Sequence, residues 1–280
     1  MLSLMKYVIY VIITMSVVSC NVVSNLSKVN GQGKVETKTM TTNTFTELKI
    51  SNNWQVVLIP SNENKLVVEA NENLIELLTV KNNGNLLEIS AKEAIGQADA
   101  KLIEVYYTES LTKISFSAGV DVTANEKLNF EDLNFNISSG AEVSLNLAFN
   151  QLDLKVSSGA EAKLQLKGNE VWASSSSGAE IELNADVISM ETSASSGAEI
   201  DIKGIADHFK AKTSSGSEIE AAKLKANNIE ASASSGSSIK IFPIVNLEAT
   251  ASSGGDIDYY NKPNGQLNIN KSSGGNVSLH

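Results

Sequence analysis

Apolar and polar residues alternate with a period of two over residues 119–280, and the alternation itself returns every 18–20 residues. Each return is marked by Ser-Ser-Gly, with glycines at 140, 159, 178, 197, 216, 236, 254 and 274. Taking each glycine as position zero, position +3 reads Val143, Ala162, Ile181, Ile200, Ile219, Ile239, Ile257 and Val277. Position +5 reads Leu145, Leu164, Leu183, Ile202, Ala221, Ile241, Tyr259 and Leu279, and +2 and +4 are almost all polar. Ahead of the glycine, −7 is apolar in every repeat (Leu133, Leu152, Val171, Met190, Phe209, Ile229, Leu247, Leu267), with smaller residues at −5 and −3. Alternation of this kind marks strands with one buried face. Two short strands per unit cannot bury that face alone, so the units must stack as the coils of a solenoid.

Between the strands the chain must turn sharply, and glycine takes positive φ without a steric penalty. The serines are expected to stack at this corner and bond backbone or neighbouring hydroxyl groups. The repeat fades upstream rather than stopping. "SLTKISFSAGVDV" places Ile114 at −5, Phe116 at −3 and Asp121 at +2 of Gly119, and "ELKISNNWQVVL" fits if Asn53 takes the glycine place. Between them "LLTVKNNGNLLEIS" reads as a hairpin around Asn82-Asn83-Gly84. The fold class is therefore all-β, a β-solenoid of about 19-residue coils with an irregular β-rich first part. One domain spans 35–280, with regular coils over 119–280.

With 42% apolar but only 5% aromatic residues, the core must be thin and aliphatic. The net charge is −10 and all 22 basic residues are lysine, which argues against nucleic acid and anionic lipid as partners. At the N-terminus, Lys6 and the apolar run "YVIYVIITMSVV" lead to Ser19-Cys20. The run is short for a membrane span and reads as a secretory leader over 1–19. "VVSC" resembles a bacterial lipobox, which makes Cys20 a lipidation site, and the sole cysteine allows no intramolecular disulfide. Residues 20–34 are polar, lack periodicity and read as a tether.

Three outward columns carry the candidate chemistry. Position +2 is acidic in most coils, and +4 adds three consecutive acids. Glu180, Glu182, Glu199, Asp201, Glu218 and Glu220 then form a two-by-three carboxylate grid flanked by Lys163 and Lys240. Neighbours about 4.8 Å apart in water repel by about 0.9 kcal/mol before screening. The favoured reading is a charged face that resists aggregation, and the sharper one is weak divalent-cation binding, although a flat grid lacks the carbonyls of a calcium loop. Trp172 stands at −6, otherwise Asn134, Asp153, Glu191, Lys210, Glu230, Glu248 and Asn268, and an exposed indole can stack on a sugar ring. No metal centre, cofactor or catalytic set is expected. His208 and His280 are far apart, and eight near-identical serine pairs cannot all be nucleophiles.

The stretches "FTELKISNNWQVVLIP", "KLVVEANENLIELLTVKNNGNLLEIS", "LTKISFSAGVDV" and "SSGAE" together resemble the auto-transporter adhesin head GIN domain family of Bacteroidetes and related bacteria. The likeness covers nearly all of the chain after the leader. It implies a β-solenoid, commonly called a right-handed β-helix, on secreted or lipid-anchored surface proteins, and it brings no catalytic residues. Asn53 departs from the family, which often has glycine there. The expected protein is a lipid-anchored adhesin of the outer membrane, facing the cell surface or the periplasm, that binds a surface, glycan or protein. The alternatives are a structural envelope protein without a ligand and a polysaccharide-active β-helix enzyme.

Overall fold

The computed structural model describes residues 28–280, so the expected leader and Cys20 lie outside the described residues. The chain opens with β1 (Val35–Thr41), and a first coil follows in β2 (Glu47–Ile50) and β3 (Gln55–Pro60). Next come β4 (Lys65–Asn71), a short helix α1 (Glu72–Leu77), the hairpin β5 (Leu78–Asn83) and β6 (Leu86–Ala91), and β7 (Lys101–Tyr107). The expected hairpin is present: β5 and β6 pair antiparallel, and Gly84 supplies the positive φ of 60° at its turn.

This part is interleaved. β6 and β7 form a coil that lies on one side of β2 and β3 in parallel register. On the other side lie β8 (Lys113–Phe116) and β9 (Asp121–Thr123). The coil formed first in sequence therefore sits second in space. Beyond it, β4 pairs antiparallel with β7 and β1 with β4, which closes this end of the column. The large side chains gather here: Phe45, Trp54, Phe116 and Phe135 are fully buried, and Phe116 meets Phe135 edge-to-face with centroids 5.8 Å apart.

Residues 28–34 correct the expected tether. Val29 pairs with Ile95, and the Gly31 N–H donates to the Gln97 carbonyl at 2.7 Å. The buried Asn71 side chain donates to the Gly33 carbonyl and accepts from the Asp99 N–H at 3.0 Å. The segment is thus part of the folded domain, and its polar character reflects bonding to Asn71 and Asn73 rather than freedom.

After β10 (Leu128–Asn129) and β11 (Asp132–Ser138) the stack becomes regular. It continues through β12 (Glu142–Ser157), β13 (Glu161–Ser176), β14 (Glu180–Ser195), β15 (Glu199–Thr213), β16 (Glu218–Ser234) and β17 (Ser238–Ser252). β18 (Asp256–Tyr259), β19 (Leu267–Lys271) and β20 (Asn276–Leu279) follow. The solenoid has about nine turns of about 19 residues. The two expected strands per unit are joined: each strand from β12 to β17 is 15–17 residues long and follows nearly a whole turn. Every inward column named from the sequence is inward as far as the last coil, where Leu267 and Leu279 are exposed. In one coil, Ala198, Ile200, Ile202, Ala206, Phe209, Ala211 and Thr213 are all buried. Large and small residues compensate along a column, as where the Phe149 ring lies over Gly168 and would meet any Cβ there at 2.5 Å. The uneven glycine spacing also has a cause, because the extra residue of the 216–236 unit is absorbed where the register slips between Asp201 and Lys203 of β15.

The corner is tighter than a single glycine would make it. The second serine of every repeat adopts φ of 47–58°, and the glycine after it 67–79°. Ala118-Gly119 and Asn52-Asn53 repeat this pair of left-handed residues, so Asn53 does take the glycine place. Its side chain gives a reason for the departure from glycine, since Nδ2 donates to the Ile95 carbonyl at 2.9 Å and ties the coil to the closed end. Stacking at the corner is carried by backbone. The N–H of Asn53 donates to Ala118, Gly119 to Ser139, Gly140 to Ser158, Gly159 to Ser177, and so on to Gly236 and Ser253, at 2.8–3.3 Å. Hydroxyl bonding is strongest at the buried +1 serines, Ser217 and Ser237, and not at the repeat serines where it was expected.

Candidate binding faces

Because each coil lies in register on the next, outward side chains form straight columns with rungs about 4.8 Å apart. On the first face the ladder aligns Glu161, Glu180, Glu199 and Glu218 in one column, and Lys163, Glu182, Asp201, Glu220 and Lys240 in the next. The carboxylate grid therefore exists with the membership the sequence suggests. Its lysines close it at both ends: Lys163 pairs with Glu161 and reaches Glu182 at 3.6 Å. Lys240 holds Glu218 at 3.0 Å and Glu220 at 2.8 Å, and these bonds raise its pKa.

The middle of the grid lacks such relief. Partial burial, followed by the Asp201, Glu180 and Glu218 carboxylates, raises the pKa of Glu199. Burial and then Glu220, Glu182 and Glu218 do the same for Asp201. Beside the grid lies an open concavity of about 510 Å³, lined among others by Gln165, Asn184, Asp201 and Lys203. Among the described residues no three His, Cys, Asp or Glu side chains converge as metal ligands.

The second face carries Trp172. The ladder places Asn134, Asp153, Trp172, Glu191, Lys210, Glu230, Glu248 and Asn268 in a single column, as the sequence requires. Trp172 is 41% exposed, whereas Trp54, the other tryptophan, is fully buried. A neighbouring column went unremarked in the sequence: Gln151, Glu170, Ser189, His208, Asn228 and Asn246. Its signal was present, since −8 is polar in every repeat. The two columns flank the buried −7 residues and line a shallow groove of about 430 Å³ that begins at Trp172 and extends to Gln266 and Asn268. Lys210 is paired with Glu230 at 2.9 Å and Lys212 with Glu191 at 3.0 Å, so the lysines of this face are largely neutralised. His208 is exposed, 3.2 Å from Asp207, and His280 contacts Asp258 at 2.9 Å, so each histidine is engaged with its own carboxylate.

A closed-ended β-solenoid with patterned side walls and short corners belongs to the class of repeat proteins that present extended surfaces. Family comparison narrows this. The model described as "Putative auto-transporter adhesin, head GIN domain" matches residues 44–184 and 161–263, and the chain belongs to that family. Among solved structures, one described as a putative adhesin from Parabacteroides merdae is similar at 20% identity, TM-score 0.67, covering 90% of this chain and 99% of that one. Another, described as a putative lipid binding protein from Parabacteroides distasonis, is 18% identical with TM-score 0.67, covering 91% and 100%. A further putative adhesin from Parabacteroides distasonis has the same identity, score and coverage. At these identities the likeness concerns the fold. No curated protein matches the chain.

Proposed function

We propose that the protein is an envelope adhesin, lipidated on Cys20 at the outer membrane, that binds a surface glycan or protein with the side walls of its column. The observation that carries this reading is the in-register stacking of outward side chains over six long strands, in a chain of an adhesin-named family. Affinity for a repetitive surface grows with the number of repeated contacts. Binding is favoured over catalysis because the serines occupy strained corners and the histidines stand apart, each held by its own carboxylate.

Protease shaving of intact cells, with adhesion compared between wild type and a deletion strain, tests the reading. Loss of the protein on shaving and loss of adhesion on deletion are expected. Protection from protease with unchanged adhesion would favour a structural envelope role. Cys20→Ser is expected to leave the leader uncleaved and to abolish incorporation of labelled fatty acid, and a wild-type chain that incorporates no fatty acid would remove the lipid anchor from the proposal.

A further inference from the structure

We propose that the groove beginning at Trp172 is a glycan subsite for a neutral, unbranched chain of equatorially linked pyranoses lying along the column axis. This rests on the adhesin reading and names its ligand class. Three features on this face point the same way. Trp172 is the one aromatic in a column that is polar in the other coils, and its exposure puts the indole within reach of a sugar in solution. The groove continues from it over successive coils, lined by planar amide and carboxylate groups such as Asn228, Asn246, Glu191 and Glu248, which bond vicinal hydroxyls in pairs. The two amides are already held: Asn246 donates to Asn228 at 2.7 Å and accepts from the Gln266 N–H at 2.9 Å. Pre-ordered side chains lose less entropy on binding.

Geometry and charge select the ligand. The rungs repeat about every 4.8 Å, close to the length of one pyranose in an extended equatorial chain, so a chain lying along the axis meets one coil per sugar. The lysines are paired within the face and the chain as a whole carries −10, so an acidic polysaccharide is repelled. The first face, by contrast, has a concavity of similar size but no aromatic in its lining.

The buried Trp54 and exposed Trp172 allow a direct test. Cellohexaose and chitohexaose are titrated into the purified protein and its Trp172 variants, with binding read by calorimetry and, in wild type, also by tryptophan emission and its quenching by acrylamide; oligomannuronate, which is equatorially linked too, is the acidic control. Either neutral hexamer is expected to protect Trp172 from quenching, and the acidic control is not. Trp172→Ala should weaken binding about tenfold or more, with Trp172→Tyr restoring most of it. Absence of binding by both neutral hexamers, or equal binding by Trp172→Ala, overturns the proposal. Cells carrying Trp172→Ala separate the two levels: adhesion retained there but lost on deletion rejects this subsite and keeps the adhesin, whereas adhesion retained on deletion rejects both.

Discussion

Gly197 and Gly204 lie in the same coil and should respond differently to a single added methyl group. At Gly197 φ is 69° and nothing lies within 4 Å of where a Cβ would be, so alanine meets only the cost of the left-handed region. That is about 1–2 kcal/mol. At Gly204 φ is 123°, and a Cβ would stand 1.9 Å from the Ala185 carbonyl oxygen of the neighbouring rung. That atom is backbone in the ladder joining β14 to β15, so it cannot yield without breaking the stack. Strain and overpacking together amount to about 3–5 kcal/mol. For a domain of this size each kcal/mol moves the melting temperature by about 2–4 °C. Thermal unfolding followed by far-UV circular dichroism should show Gly197→Ala lower by about 4 °C and Gly204→Ala by about 10 °C or more. Because both changes fall in one coil, the contrast survives even if the column melts in parts. Equal losses, or a larger loss at Gly197, would refute the view that the corner glycines answer to φ alone and Gly204 to space.

Ile200→Asp places an unpaired charge at a fully buried position and is expected to cost about 3–5 kcal/mol, read as loss of strand signal and of melting temperature. A variant as stable as wild type would mean that the inward register is wrong by one residue. Glu199→Gln with Asp201→Asn should raise the melting temperature at pH 7, with no response to millimolar calcium in either protein; calcium stabilisation present in wild type and lost in the variant would instead establish a cation site. The sign of the pH effect follows from the raised pKa values. These acids bind protons more tightly folded than unfolded, so their penalty grows as pH rises through the folded values and is relieved on acidification towards the ordinary 4.5 and 3.8. The stability gap between variant and wild type should therefore narrow from pH 7 towards pH 4, as measured by melting at each pH, and a constant gap would contradict it.

The column was legible because a period of two inside a period of 19 leaves little choice of register. Val143, Ile181 and Ile200 fall where the sequence puts them, and so does every member of the acidic grid. The interleaved first coils were not legible. Nothing in "ELKI" or "LLEIS" says that β2 lies between β6 and β8, since pairing order is set by long-range packing around Trp54 and Phe116 and not by local pattern. The left-handed second serine was hidden for a different reason. Serine is an ordinary turn residue, and its φ of 55° at Ser196 follows from the backbone bond that the corner must pass to the next coil. The groove beside Trp172 needed two columns read together, and one of them, running through His208 and Asn246, looks unremarkable in any single repeat.

The corner ladder makes each regular coil nearly a translated copy of the one below, since the Ser-Gly pair receives and hands on the same backbone bond at each level from Gly140 to Gly236. Loss or duplication of a whole unit would leave every wall column straight and simply change the height by one rung. The closed end has no such freedom, because its second level in space is its first in the chain and cannot be copied without being re-threaded. The molecule is built like a ruler fixed at one end. Its reach is set by counting units, so length can vary across generations of the gene while the pattern read along its sides stays the same.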